Sequence, residues 1–551
     1  MKFHWLWFQC LLPVFCLSAF LSAFLPAPCR AEAAARPNIL LVLVDDMGYA
    51  DIAPYGGEIE TPTLGRLAEG GLRFTEFHNT GRCCPTRASL MSGLYPHQAG
   101  VGHMMQDRGT DGYRGDLNER CVTIAQVLGA AGYGTYMSGK WHVTRFTGPE
   151  GPKDNWPQQR GFDRFFGTIT GAGNFWAPKT LTRDNTQIDD HFPEGFYYTD
   201  AIAENASGYI REHRKRQPEK PFFCYVAYTA PHWPLHAHQE DVDRYRGKYM
   251  IGWDRLREQR FARQKSMGLA LDSWKLSPRM PELPAWEDLD RQKQEEMDLL
   301  MSLYAAMVTA MDRGVGRLVE TLQETDCLEN TLVFFLSDNG GCAEGGNLGG
   351  LRLRRPEARP GGTDSDPRLG GCWANANNTP FRYWKHHVHE GGSATPLIVH
   401  WPQGIPPEQN GRFRRQPGHL IDIMATCADV SGAAYPRQLD GHDVLPMEGR
   451  SLVPAFDDKP IERDALYWEH EGHCAIRIGD WKLVALDRGQ TWELYDLSCD
   501  RSELNDLAAE QPERVEKMAA IWQTWAERTG VVPWPQSKSR PSKGNGKKAK
   551  P

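Results

Sequence analysis

Four apolar, β-branched runs punctuate the chain, at residues 39–44, 222–227, 332–337 and 396–401. Continuous runs of this length read as strands buried on both faces, the pattern of a sheet covered by helices. Helical periodicity falls between them, over residues 123–131, 199–214, 292–324 and 419–430. Strands alternating with helices predict an α/β fold, with a mixed, mostly parallel central sheet and helices on both faces. Ligands of such sheets bind beyond the carboxyl ends of the strands. Three of the four runs lead into polar clusters there: Asp45-Asp46, Pro231-His232 and Asp338-Asn339. That coincidence predicts a site rather than scattered surface polarity.

The pattern changes near residue 450. Short alternating segments at 465–469, 474–478, 481–485 and 492–497 are separated by Gly and Asp turn signals, and a helical stretch follows at 512–528. They predict a small C-terminal α+β domain with an antiparallel sheet. The expected organisation is a leader at 1–33, a large domain at 37–450, the small domain at 451–536 and a basic tail at 537–551. The charged stretch 239–287 reads as a surface insertion of helix and loop. Residues 341–371 form a long Gly/Arg/Pro-rich loop, and loops of that length usually carry function.

Length agrees with two cores, because 551 residues exceed the roughly 250–300 at which one core stops growing. The net charge of −7 gives no sign of a nucleic-acid partner. Met1-Lys2-Phe3-His4, an apolar stretch and Ala31-Glu32-Ala33 have the order of a secretory signal, with cleavage expected after about Ala33. This predicts export, periplasmic or secreted, without a stable membrane span. Of 13 cysteines, Cys10, Cys16 and Cys29 lie in the leader, leaving 10. Their wide scatter argues against a dense disulfide framework, and Cys342 with Cys372 is the candidate bridge.

Asp45, Asp46, Asp338 and Asn339 supply the oxygen ligands that a hard divalent cation takes. No cluster with zinc-type Cys/His spacing accompanies them. A second constellation is Cys83-Cys84-Pro85-Thr86-Arg87, followed by a small and apolar run to Gly93. Further elements are Gly139-Lys140-Trp141-His142, Ala230-Pro231-His232-Trp233-Pro234, and Pro380-Phe381-Arg382 with Lys385 and Glu390-Gly391-Gly392. Arg87, Lys140 and Lys385 are cations suited to a sulfuryl or phosphoryl group, and His142 and His232 are candidate proton donors and acceptors.

These motifs, in this order from about residue 37 to 534, resemble the type I sulfatases, in the arylsulfatase-like branch of the alkaline phosphatase superfamily. The resemblance implies an alkaline-phosphatase-like fold and hydrolysis of carbohydrate or aryl sulfate monoesters. It implies that Cys83 is oxidised to formylglycine by a formylglycine-generating or sulfatase-maturating enzyme. It also implies a Ca2+ ion, or Mg2+, held by Asp45, Asp46, Asp338, Asn339 and the modified Cys83. In that family a hydroxyl of the hydrated aldehyde attacks sulfur, the position of His142 assists the second deprotonation, and those of His232 and Lys385 help the leaving group. Thr86 stands where Ser is frequent, and Thr144 where Gly is frequent. Trp176, Trp233, His236, His238 and Trp384 are candidates for a substrate-facing rim. The rival readings are a phosphodiesterase or phosphonate monoester hydrolase of the same superfamily, and an inactive protein that binds sulfated glycans.

Overall fold

The computed structural model describes residues 36–487 and 491–534. The expected leader and basic tail lie outside the described residues. The central sheet has eleven strands. They are β1 (Asn38–Val44), β2 (Leu72–His78), β3 (Gly134–Gly139), β4 (Arg164–Thr168), β5 (Leu181–Arg183), β6 (Thr186–Gln187), β7 (Phe222–Ala227), β8 (Thr331–Ser337), β9 (Ala394–His400), β10 (Phe413–Arg414) and β11 (Gly418–His419). Their order is β10-β2-β9-β8-β1-β7-β3-β4-β5-β6, with β11 continuing along β2. The middle, β8-β1-β7-β3-β4, is parallel, whereas β9 runs antiparallel to both β8 and β2. The run at 396–401 therefore belongs to the antiparallel part of a mixed sheet.

Every residue of β1, β7 and β8 is buried, as their unbroken apolar sequences require. One core covers each face of the sheet, because alternate side chains of β1 point to opposite sides: Leu40, Val42 and Val44 one way, Ile39, Leu41 and Leu43 the other. The helices Tyr198–Arg216 and Arg291–Glu324 pack on the first face. Those at Cys83–Ser92, Ile124–Ala130 and Asp422–Ser431 pack on the second. Among the described residues no helix is long and apolar enough to cross a membrane.

After a two-stranded ribbon, β12 (Gln438–Leu439) with β13 (His442–Asp443), the C-terminal sheet forms from β14 (Leu466–His470), β15 (His473–Ile478), β16 (Trp481–Ala485) and β17 (Glu493–Asp496), antiparallel throughout. Helix Pro512–Thr529 covers it. One face of this sheet packs a small cluster of its own, with Leu466, Trp468, Ala475, Val484 and Tyr495 around Val388, and the other face joins a core of the large sheet. Cys474, Ile476, Leu483, Leu494, Trp522 and Trp525 join the cluster that contains Ile39 and Leu41. Residue 450 is thus a change of architecture and not a break in packing.

Two expectations need correction. The stretch 239–287 is not a surface insertion: Tyr245, Tyr249, Trp253, Trp274 and Trp286 are buried in the first core. Its charge patterning misleads because buried Arg260 is neutralised by Asp51 at 2.8 Å and Glu58 at 2.8 Å. Nor do Cys342 and Cys372 form a bridge, since both are buried free thiols.

A buried ionic network ties the C-terminal sheet to the main one. Glu390 accepts from Lys482 Nζ at 2.8 Å and Arg501 Nε at 2.6 Å, and faces His78 Nε2 at 3.2 Å. Burial pushes the Glu390 carboxyl up, but Lys482, Arg501 and His78 outweigh it and hold it well below the usual range. Removing one partner from such a network leaves buried charge unpaired, which costs about 3–5 kcal/mol. Glu390→Ala should therefore destabilise the fold by about that much in urea unfolding at pH 7. Because the carboxyl ionises at lower pH folded than unfolded, its contribution is complete above the unfolded value of about 4.3 and is lost as pH falls through the folded value. The stability difference between wild type and variant should shrink in that acidic window.

Candidate functional site

The parallel register brings the polar clusters to one edge. Val44 pairs with Ser337, Leu43 with Ala227, and Gly139 with Ala227. Asp45-Asp46, Asp338-Asn339, Lys140-His142 and the turn holding His232 therefore emerge side by side. Asp45, Asp46, Asp338 and Asn339 are essentially inaccessible to solvent. Asp46 has φ 65°, a left-handed conformation that Asp tolerates better than most residues. Its backbone N–H donates to Asp338 Oδ1 at 3.3 Å.

Cations answer the carboxylates. Arg87, from the buried helix Cys83–Ser92, donates to Asp338 Oδ2 from Nε at 3.1 Å and Nη2 at 2.7 Å. Its Nη1 donates to the Lys140 carbonyl at 3.1 Å, which pins the start of the Lys140–His142 segment. Lys140 Nζ donates to Asp45 Oδ2. Lys385 Nζ and Asn339 Nδ2 both donate to Asp46 Oδ1, each at 2.7 Å. Burial raises the Asp46 carboxyl, yet His232 and Lys385 prevail and hold it well below its ordinary value. Asp338 goes the other way: burial and then Asp45 push it well above that value, although Arg87 opposes.

One oxygen of each remaining ligand is left over. Asp45 Oδ1, Asp46 Oδ2 and Asn339 Oδ1 are buried without a hydrogen-bond partner. Oxygens buried in this way call for a cation, because an unsatisfied polar group in low dielectric is costly. The donor set is all oxygen, so these residues fit a hard divalent ion.

Cys83 opens its helix and Cys84 follows, both buried. The adjacent Cys84 thiol, with Lys140, His142 and Lys385, lowers Cys83 well below an ordinary thiol against the effect of burial. His142 Nε2 lies 3.3 Å from Cys84 Sγ. Burial and then Lys140 push the His142 imidazole down to about 4, so it is neutral at pH 7. Thr86 keeps the hydroxyl of the motif in use, accepting from the Thr80 N–H at 3.1 Å. Thr144 donates to Asp116 Oδ1 at 2.7 Å. His232 Nδ1 donates to the Trp233 carbonyl at 2.6 Å, which fixes the ring with Nε2 3.4 Å from Asp46 Oδ2.

The rim candidates separate. Trp233 lies under the Arg368 guanidinium at 3.9 Å and shares a small recess with Asp46 and Cys342. Trp176 is half-buried, donates from Nε1 to the Gly361 carbonyl at 3.0 Å and packs edge-on against His238. Trp384 is half-buried beside His387. His236 does not face the rim. It is fully buried, accepting from the Phe175 N–H at 3.3 Å and meeting the Ser365 carbonyl at 3.0 Å. Its fixed neighbours make it a clamp between two loops. The Cys84–His142 contact and Gly171 were not legible in sequence, since each depends on segments far apart in the chain.

An anionic ester held among these cations is the natural occupant of such a site. Residues 37–433 match the family model described as Sulfatase, and residues 381–527 match N-sulphoglucosamine sulphohydrolase, C-terminal. The chain is 34% identical over 541 residues to an uncharacterized sulfatase of Schizosaccharomyces pombe, covering 91% of this chain and 95% of that one. It is 33% identical over 460 residues to an arylsulfatase of Klebsiella aerogenes, covering 79% and 95%. The crystal structure of Ps i-CgsB in complex with k-i-k-neocarrahexaose superposes with a TM-score of 0.66 at 25% identity, covering 91% and 95%. The protein belongs to the sulfatase family of the alkaline phosphatase superfamily, whose members hydrolyse sulfate esters.

A side chain at position 171 would disrupt this centre. A Cβ there would lie 2.2 Å from His142 Cε1, so only glycine leaves room for the ring. Gly171→Ala should displace His142 by about 1 Å and lower kcat about 10²-fold, with thermal stability nearly unchanged. Steady-state kinetics beside thermal unfolding check this.

Proposed function

We propose that this sulfatase acts on carbohydrate sulfate monoesters, with Cys83 carried as formylglycine and Ca2+ held by Asp45, Asp46, Asp338 and Asn339. The observation that carries the reading is the convergence of three buried oxygens that accept no hydrogen bond, Asp45 Oδ1, Asp46 Oδ2 and Asn339 Oδ1, beside Cys83 and three cations. When bound, the metal and the aldehyde supply charge neutralisation and the nucleophile. Lys140 and Lys385 bring positive charge to the sulfuryl oxygens, where it counts most because water is excluded. Arg87 keeps the scaffold in place by bridging Asp338 and the Lys140 backbone.

The two histidines divide the proton work. Neutral His142, with Nε2 facing the cysteine pair, accepts a proton there. His232 already carries a proton on Nδ1, committed to the Trp233 carbonyl. Its Nε2, 3.4 Å from Asp46 Oδ2, is the atom that delivers a proton to the leaving oxygen. Two features support a sugar. Ps i-CgsB was crystallised in complex with k-i-k-neocarrahexaose. An open cavity of about 560 Å³ here joins aromatic Trp176, Phe192 and Phe196 to Arg355 and Arg359, a pairing of stacking faces with guanidinium groups. Under this reading a maturating enzyme oxidises Cys83, and the leader-like residues 1–33 direct export.

Cys83→Ala should abolish turnover of sulfate esters, and Cys84→Ser should retain at least about a tenth of it, the loss of one neighbouring contact. A hydrazide reagent should capture the peptide around residue 83 from the wild type and from Cys84→Ser, but not from Cys83→Ala. Equal turnover by both variants, or faster cleavage of matched phosphate diesters, would reject the assignment. Assays on defined sulfated saccharides against aryl sulfates decide the substrate class.

A further inference from the structure

A second cluster of metal-binding side chains lies apart from the carboxylate centre. His103, His470 and Glu471 place one ligand atom each within 4.8 Å of the others. His103 Nε2 is 2.9 Å from Glu471 Oε1, and His470 Nε2 is 3.8 Å from the same oxygen. Ligands about 2.1 Å from a tetrahedral zinc ion stand about 3.4 Å apart, so these separations bracket the required value.

An ordinary His–Glu ion pair accounts for His103 but not for His470. The His470 ring is fully buried, and neither Nδ1 nor Nε2 has a hydrogen-bond partner. A buried imidazole with both nitrogens unanswered is rare and points to a missing ligand. The other oxygen of Glu471, Oε2, receives His386 Nδ1 at 2.9 Å, the outer support that metal-binding carboxylates commonly have. His103 packs under Trp534 at 4.4 Å and stacks on His470 at 5.6 Å, so rings shield the cluster on that side. Glu471 and His386 remain about a quarter to a third exposed, which leaves a way in from solvent.

We propose that His103, His470 and Glu471 form a binding site for a borderline divalent cation of the zinc class, separate from the hard-ion centre. Two imidazoles and one carboxylate are a set that zinc accepts with water in the fourth position. The site would pin the β14–β15 hairpin to the segment that follows the Cys83–Gly93 motif. His386 neighbours Lys385 in sequence, and Arg82, which neighbours Cys83, hydrogen-bonds to the His386 ring. The role is positional: none of the three ligands touches the carboxylate cluster by any contact described above.

The test is metal content of the full chain after removal of metals and re-equilibration with saturating CaCl2 and one equivalent of ZnCl2. Wild type should retain one zinc per chain. Glu471→Gln and His103→Asn should each weaken zinc binding at least tenfold, whereas Asp45→Asn should leave it intact. With Co2+ in place of zinc, wild type should give visible ligand-field bands that Glu471→Gln lacks. Glu471→Gln is nearly isosteric and partly exposed, so circular dichroism should report an unchanged fold. No zinc retained by wild type, zinc unaffected by both cluster variants, or zinc lost with Asp45→Asn would each overturn the proposal.

Discussion

Three carboxylates buried at the ends of two adjacent strands are the constraint on which the rest of this structure depends. Asp45, Asp46 and Asp338 are at most 1% exposed. Withdrawing each charge from water costs several kcal/mol, and their mutual repulsion adds to it. The fold answers from three directions. A fully buried helix delivers Arg87, the end of β3 delivers Lys140, and the loop after helix Gly371–Asn377 delivers Lys385. Compensation is incomplete, because three oxygens still accept no hydrogen bond. That remainder is where the chemistry of the site resides: a fully satisfied cluster would have nothing left to bind.

Rigid placement of these groups comes from beyond the central sheet. Glu390 sits five residues after Lys385 and is gripped by Lys482 and Arg501 of the C-terminal region. Arg382 pairs with Glu493 of β17, and Trp468 of β14 donates to the Asn79 carbonyl at 2.7 Å, just ahead of the cysteine motif. The small sheet therefore acts as a brace on the loops that carry Lys385 and Cys83. The apolar residues of one of its faces merge with a core of the large sheet, and those of the other close around Val388, just ahead of Glu390.

The long strands were legible in sequence because burial on both faces leaves an unbroken apolar run, as in β1, β7 and β8. β3, with Gly at both ends and a Ser inside, and β2, which alternates Arg, Thr and Glu with apolar residues, gave no such signal. They are strands because their neighbours require them to be. The stretch 239–287 misled for the converse reason: its arginines are buried but paired, and pairing is invisible in one dimension. Most of the proposed centre was visible as local motifs, since a strand end or tight turn fixes adjacent residues together.

By itself the sequence determined the chemical types at the site and the α/β order, because both are written in short local patterns. Strand order, the antiparallel placement of β9, the shared core of the two sheets and the burial of His236 were decided only by tertiary structure. So was the meeting of His103 with Glu471, 368 positions apart. The physical reason is the same in each case. Local pattern fixes which face of an element is apolar, but what that face meets depends on how the whole chain satisfies its buried charges and fills its core.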